Sequence, residues 1–229
     1  MTTKDQVPSE TLQKQIEVFL AQTAGQLPPE LMTTFYKSIE TLVQTNIAKD
    51  SLKVGAKAPN FTLPDVFGKS VTLSELLRNR PAVVTFYRGE WCPFCNLQLH
   101  AYQNILPQIQ ELGATLVAIS PQTPDNSLST VEKKELTFTV LSDVGNTVAR
   151  QYKIVFALQD QFRALYTSIG SDVPTFNGDQ SWELPMPGTF IIDQQGIIRL
   201  AFVHEDHTRR LEPAALLDSL HTIGNKTQK

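Results

Sequence analysis

The run "AVVTFYR", residues 82–88, constrains the fold of this 229-residue chain more than any other stretch. It is β-branched and aromatic with almost no polar interruption, the pattern of a strand buried on both faces of a sheet. Such a strand needs helices on either side, and the flanking sequence alternates accordingly. A helical stretch covers about 92–112, "ATLVAIS" (114–120) reads as a strand, 127–136 as helix, "FTVL" (138–141) as a strand, and 145–169 as further helical segments. "GTFIIDQQGIIRLAFV" then reads as two strands turning at Asp193 to Gly196, followed by a helix from Glu212 to Ile223. Alternation of this kind builds a parallel or mixed sheet through right-handed crossovers, so the class is α/β, a central mixed sheet flanked by helices.

The first fifty residues follow a different pattern. Leu12, Ile16, Phe19 and Leu20, then Leu31, Met32, Phe35, Tyr36, Ile39, Leu42 and Val43, fall at helical spacing on either side of "GQLPPE". This is a helical hairpin, with Pro29 in the first turn of its second helix, where a missing N–H costs nothing. Gly55, Pro59 and Pro64 then forbid continued helix, so a boundary near Ser51 separates a hairpin extension (1–50) from a larger domain (51–229). Two exposed apolar stripes would be an aggregation liability, so the hairpin packs on the larger domain or, in a homodimer, on a second subunit. A short strand is expected around Phe61 to Leu63, and Thr72 and Glu75 in "TLSELL" have capping-box spacing, which predicts a helix start.

At 41% hydrophobic residues the chain can bury a full core without disulfide staples. Its opening "MTTKDQVPSETLQKQ" is polar where a secretory segment is apolar, and no apolar run approaches the ~20 residues of a membrane span, so a soluble cytoplasmic protein is expected. A net charge of −3 without a Lys/Arg block gives no footprint for nucleic acid. In a reducing cytoplasm, two cysteines three positions apart point to catalysis or metal binding rather than to a structural bridge.

Those cysteines, Cys92 and Cys95, follow the buried strand directly in "RGEWCPFC". Cys95, Leu99, Tyr102, Leu106 and Ile109 lie on one helical face, which puts Cys95 on the buried stripe. Cys92 sits one turn earlier, where free N–H groups and the helix dipole favour a thiolate; an exposed, low-pKa nucleophile is expected there, with Cys95 as the resolving thiol. Pro93 fits the first turn, and Pro107 should kink the helix. Arg88 is either a solvated rim charge or an attractor of the thiolate, and Glu90 should raise the pKa of Cys92. A structural zinc site needs four ligands, and His100, His204, His207 and His221 offer no complementary pair, so neither metal nor other cofactor is expected.

"FYRGEWCPFC" together with "LPMPGTFIIDQQGIIRLAFVHEDHTRRLEP" resembles the peroxiredoxin-like branch of the alkyl hydroperoxide reductase and thiol-specific antioxidant family, in the thioredoxin superfamily, over roughly residues 52–222. The resemblance implies a thioredoxin-like fold and a redox site of Cys92, Cys95, Arg88, Trp91 and Pro187, the last as a cis-proline facing the dithiol. It implies an antioxidant peroxidase in which Cys92 becomes a sulfenic acid and condenses with Cys95 to a disulfide, reduced by a thioredoxin-like protein or a small thiol. Two positions depart from the family pattern. Gly89 stands where a Thr or Ser usually holds the peroxide, and Pro187 stands where an Arg is usual. Both departures favour the alternative of a thiol:disulfide oxidoreductase acting on a disulfide substrate; a third class is a non-enzymatic redox sensor.

Overall fold

A computed structural model describes residues 10–227, so what was read from the first nine residues lies outside the described part. Two helices come first, α1 (Leu12–Ala24) and α2 (Pro29–Thr45), with Pro29 in the first turn of α2. A 3-10 turn (Ile47–Asp50) leads to a short antiparallel pair, β1 (Thr62–Pro64) and β2 (Ser70–Thr72), and a one-turn helix α3 (Leu73–Leu76). Then follow β3 (Ala82–Phe86), α4 (Pro93–Asn104), α5 (Leu106–Glu111), β4 (Thr115–Ser120), α6 (Pro124–Lys134), β5 (Thr139–Ser142) and α7 (Thr147–Gln151). The chain closes with β6 (Val155–Ala157), α8 (Asp160–Ser168), α9 (Val173–Asn177), β7 (Glu183–Pro185), β8 (Gly188–Ile192), β9 (Ile198–Val203) and α10 (Pro213–Thr227).

The central sheet has the order β5-β4-β3-β8-β9, with β3, β4 and β5 parallel and β8 and β9 antiparallel to their neighbours. All five residues of β3 are buried, as the unbroken apolar run requires. Successive side chains point to opposite faces. Val83 therefore joins Leu99, Tyr102 and Ile109 on one side, while Val84 and Phe86 join Leu73, Tyr152 and Phe190 on the other.

The hairpin lies against this body. α1 packs on α4 and α2 on α8, and Leu12 and Ile16 share a core with Val83 and Leu99. The Phe19 ring meets Phe94 of α4 edge-on, with centroids 5.7 Å apart. The start of α1 is also tied to the start of α10: the Leu12 and Gln13 N–H groups donate to the two carboxylate oxygens of Glu212 at 2.9 and 2.8 Å. Free N–H groups at a helix start favour an anion, and their capping is worth about 0.5–2 kcal/mol. Glu212→Ala should therefore lower stability by about 1–3 kcal/mol in urea unfolding, since both bonds are charge-assisted. An unchanged midpoint would show that Glu212 does not anchor the hairpin.

Four expectations are corrected. The helix over 92–112 is broken at Ile105 into α4 and α5, because Pro107 cannot continue the hydrogen-bond ladder. Thr72 is the N-cap of α3, so a helix does start there, but without the capping-box bond: its hydroxyl pairs with that of Thr62 across β1 and β2 at 2.9 Å. The stretch 145–169 is not wholly helical, since β6 pairs with β7 (Val155 opposite Pro185). Finally, Met186–Pro187 is trans. The Met186 N–H donates to the Ile154 carbonyl at 2.7 Å, and the extended chain passes directly from β7 into β8; even for X–Pro, trans is favoured by about 0.5–1 kcal/mol.

Candidate active site

Tyr87 continues β3 by one bond, its N–H donating to the Ile119 carbonyl at 2.9 Å, and the chain then leaves the sheet. Cys92 is the N-cap of α4, with extended φ and ψ of −89° and 107°, and its carbonyl accepts the Asn96 N–H. Pro93 occupies the first helical position, where its missing N–H is harmless. Cys95 lies within α4 and is fully buried, as the helical phase predicts. The two sulfurs are 2.7 Å apart, and both cysteines are in the free form.

The expectation of an exposed Cys92 is corrected: only 1% of its surface is accessible. The hairpin and α8 cover it, leaving Cys92 on the wall of a cavity of about 430 Å³. A second correction concerns its charge. Burial, with the hydrogen bond and charge of Cys95 adding to it, raises the Cys92 pKa, against the pull of Arg88 and Arg210. At Cys95 burial also opposes ionisation but is outweighed by the hydrogen bond between it and Cys92 and by the Arg210 and Arg88 charges, which bring it down to about 6. The pair thus loses its first proton readily and its second with difficulty. One proton and one negative charge are shared between two touching sulfurs, and of the two Cys92 lines the cavity.

Besides the hydrogen bond between the sulfurs, two guanidiniums favour this anion. Arg88 is 1% exposed; it is flanked by the rings of Trp91 and Tyr166, with its central carbon 4.8 and 5.2 Å from their centroids, and its Nη2 donates to the Tyr166 hydroxyl at 2.6 Å. Of its two sequence readings, the rim charge is excluded by burial. Arg210 is 6% exposed, and its Nη2 donates to the Cys95 sulfur at 3.4 Å. Neither guanidinium forms an ion pair with a carboxylate among the described residues, so a sulfur anion is the countercharge within reach. Glu90 is not that countercharge and does not act on Cys92: its carboxylate turns away to Lys133. Its backbone N–H donates instead to Gln122 Oε1.

Gly89 and Trp91 share one space. Gly89 has φ of +150°, and a Cβ there would lie 2.5 Å from Trp91 Nε1 and 2.9 Å from Gln122 Oε1. The indole edge therefore stands where a side chain at position 89 would begin. Trp91 Nε1, Arg88 Nε and Arg210 Nε are buried donors without an acceptor. Pro187 is buried next to Gly188, which pairs with Phe86 at the end of β3 nearest the site. His207 packs edge-on against Phe35 at 5.7 Å; burial, followed by the Arg88 and Arg210 charges, holds its pKa well below the usual range, so it stays neutral.

Arg210 and Tyr166 were not singled out from the sequence, and His207 was weighed only as a metal ligand. Arg209 and Arg210 are adjacent, one exposed and one buried, and composition cannot tell them apart. The distinction is made in space, where the Tyr102 hydroxyl of α4 donates to the Leu211 carbonyl at 3.1 Å and holds that loop over the dithiol.

The chain is 29% identical over 148 residues to a chloroplastic peroxiredoxin Q of Populus jackii, an alignment covering 65% of this chain and 59% of that protein. It is 28% identical over 167 residues to the chloroplastic peroxiredoxin Q of Sedum lineare, covering 73% and 77%. The crystal structure of the peroxidoxin BcpB from Mycobacterium tuberculosis shares the fold, with a TM-score of 0.59 at 23% identity over 75% of this chain and 98% of that one. The model of the AhpC/TSA family matches residues 54–201, a segment that includes β3, both thiols, Arg88 and β8 but neither the hairpin nor Arg210. With the dithiol held at the end of a buried strand on that fold, the chain belongs to the AhpC/TSA family.

Proposed function

We propose that this protein is a thiol-dependent peroxidase that cycles Cys92 and Cys95 between dithiol and disulfide. The observation that carries this reading is the burial of Cys92 on the wall of a pocket between the hairpin and α8. A hydroperoxide fits such a space, whereas a protein disulfide would have to displace α1, α2 or α8 to bring its sulfur into line. That favours peroxide over disulfide as the oxidant.

In this reading the shared proton passes from Cys92 to Cys95 as the peroxide arrives. The Cys92 thiolate attacks the outer oxygen, an S–O bond forms and the O–O bond breaks. The departing alkoxide takes up the pair's remaining proton, leaving Cys92 as a sulfenic acid and Cys95 as a thiolate. Arg88 and the Trp91 indole N–H, both donors at the cavity wall, bind the oxygens in place of the hydroxyl that Gly89 lacks. Cys95, held as an anion by Arg210, then attacks the Cys92 sulfur; hydroxide leaves, takes a proton from solvent to become water, and a disulfide remains. Closing the sulfurs from 2.7 Å to the ~2.05 Å of a disulfide needs little movement, because Cys92 precedes the helix proper. A dithiol reductant of the thioredoxin type, or a small thiol in a reducing cytoplasm, restores the pair.

Cys95→Ser tests the reading. The expected result is one fast equivalent of hydrogen peroxide consumed, with Cys92 trapped as a sulfenic acid by dimedone, and no second turnover. Oxidation no faster than that of a free thiolate of the same pKa, with mixed disulfides accumulating on partner proteins, would leave disulfide exchange as the function.

A further inference from the structure

We propose that His207 is a catalytic residue of this site: one of its ring nitrogens accepts the hydrogen bond from the O–H of the bound peroxide and so aims the outer oxygen at the Cys92 sulfur. The inference rests on the peroxidase reading and adds to it a residue outside the family-matched segment, residues 54–201.

A hydroperoxide donates a hydrogen bond through its O–H as well as accepting at its oxygens, and the cations and indole beside Cys92 serve only the second need. The Arg88 guanidinium and the Trp91 indole are donors without an accepting atom. The Tyr166 hydroxyl already accepts from Arg88 Nη2, the Ser168 hydroxyl is held at the Leu165 carbonyl, and Gly89 supplies no hydroxyl at all.

His207 lines the same pocket and is 3% exposed. Two rings hold the imidazole, Phe35 of α2 edge-on and Phe94 of α4 tilted at 54°, each with its centroid 5.7 Å away. Phe94 follows Cys92 by two residues, and Arg88 and Arg210, whose charges act on both sulfurs, act on the imidazole as well. These contacts put His207 at the sulfur end of the pocket. Among the described residues its ring nitrogens have no hydrogen-bond partner. Burial and the two guanidiniums keep the ring uncharged, so one nitrogen carries a hydrogen and the other an open lone pair. An imidazolium would have no acceptor and would add a third positive charge. The loop after β9 thus offers Arg210 to Cys95 and His207 to the space before Cys92, and Glu205 Oε1 ties that loop to the end of the hairpin by accepting the Ala48 N–H at 2.8 Å.

The ring is unchanged by the reaction. While it accepts the peroxide O–H, the Cys92 thiolate attacks that oxygen, the S–O bond forms, and the O–O electron pair leaves on the inner oxygen, which takes up the proton left on the dithiol. The hydrogen stays on the attacked oxygen and becomes that of the sulfenic acid, so His207 orients the peroxide without being protonated.

His207→Phe keeps a ring between Phe35 and Phe94 and removes the acceptor, whereas His207→Gln returns one as a carbonyl. Stopped-flow rates of the intact protein and both variants are compared for hydrogen peroxide and for S-methyl methanethiosulfonate, a thiolate-specific electrophile with no O–H to donate. His207→Phe should slow the peroxide reaction about tenfold, the equivalent of one hydrogen bond made in the transition state, and change the thiosulfonate rate by about twofold at most. His207→Gln should recover most of the loss, and Ser171→Ala, which removes another hydroxyl of the pocket, should leave both rates as they are. If the larger ring disturbs the pocket, His207→Leu gives the same comparison. Equal slowing of both reactions would make His207 a packing contact of the dithiol, an unchanged peroxide rate would remove it from the reaction, and a selective loss in Ser171→Ala instead would move the acceptor to that hydroxyl; each overturns the assignment. An intact protein that reacts with peroxide no faster than a free thiolate of the same pKa would overturn the peroxidase reading itself, and this assignment with it.

Discussion

Arg210→Met slows the oxidation of Cys92 by hydrogen peroxide about tenfold to a hundredfold at neutral pH and moves the pH profile of the reaction to higher pH. Arg210 donates to Cys95 and, together with the hydrogen bond to Cys92 and the Arg88 charge, outweighs the burial that would keep Cys95 protonated. A charge-assisted hydrogen bond contributes about 1.5–3 kcal/mol, and each ~1.4 kcal/mol is tenfold in rate. The direction of the pH effect follows from the sign of the charge. The arginines stabilise the ionised form, so the intact protein keeps its sulfur anion at neutral pH and loses it as the pH falls through about 6. With one guanidinium removed, the pair's first proton is held more tightly and is lost at a higher pH. Stopped-flow fluorescence of Trp91, which lies against Arg88, follows both rate and midpoint. A profile identical to that of the intact protein would mean that Arg210 is a structural contact only.

Gly89→Ala produces the largest loss of stability expected at the site, about 2–5 kcal/mol, together with slowed oxidation. Two costs add. A residue with a Cβ resists a φ of +150°, and the Cβ itself would meet Trp91 Nε1 at 2.5 Å, so the indole must move. Displacing it also disturbs the stacking on Arg88. Trp91→Phe separates the two roles of the indole: it keeps a ring over Arg88 and deletes the N–H. Its expected effect is roughly tenfold slower oxidation by peroxide with a stability change below that of Gly89→Ala. Thermal unfolding and peroxide kinetics on both variants distinguish the outcomes. If Gly89→Ala matched the intact protein in both measurements, the pairing of a bare position 89 with an indole donor would be wrong.

The local features of this site were legible because they depend on short-range periodicity. An unbroken apolar run made β3 a two-sided core strand, the helical repeat placed Cys95 on the buried face of α4, and Pro107 marked where that helix breaks. The apolar stripes of the hairpin were equally plain. What they pack against was not, because a stripe states that it must be covered and not by what. The same gap explains the error at Cys92. As the N-cap of α4 it would be exposed on an isolated helix, and its burial comes from residues of α1, α2 and α8 that are distant in sequence.

By itself, the sequence determined the class of the fold, the order of its strands and helices around the dithiol, and the chemistry open to two adjacent thiols. Only the tertiary structure decided how the two thiols share one proton, which arginine supports the charge and what the thiols can meet. Arg210 is 115 positions from Cys95, and a guanidinium 3.4 Å from a sulfur leaves no periodic signal in either segment. Protonation, access and substrate shape depend on burial and on charges brought together across the fold, and those are properties of packing that no local pattern of residue types encodes.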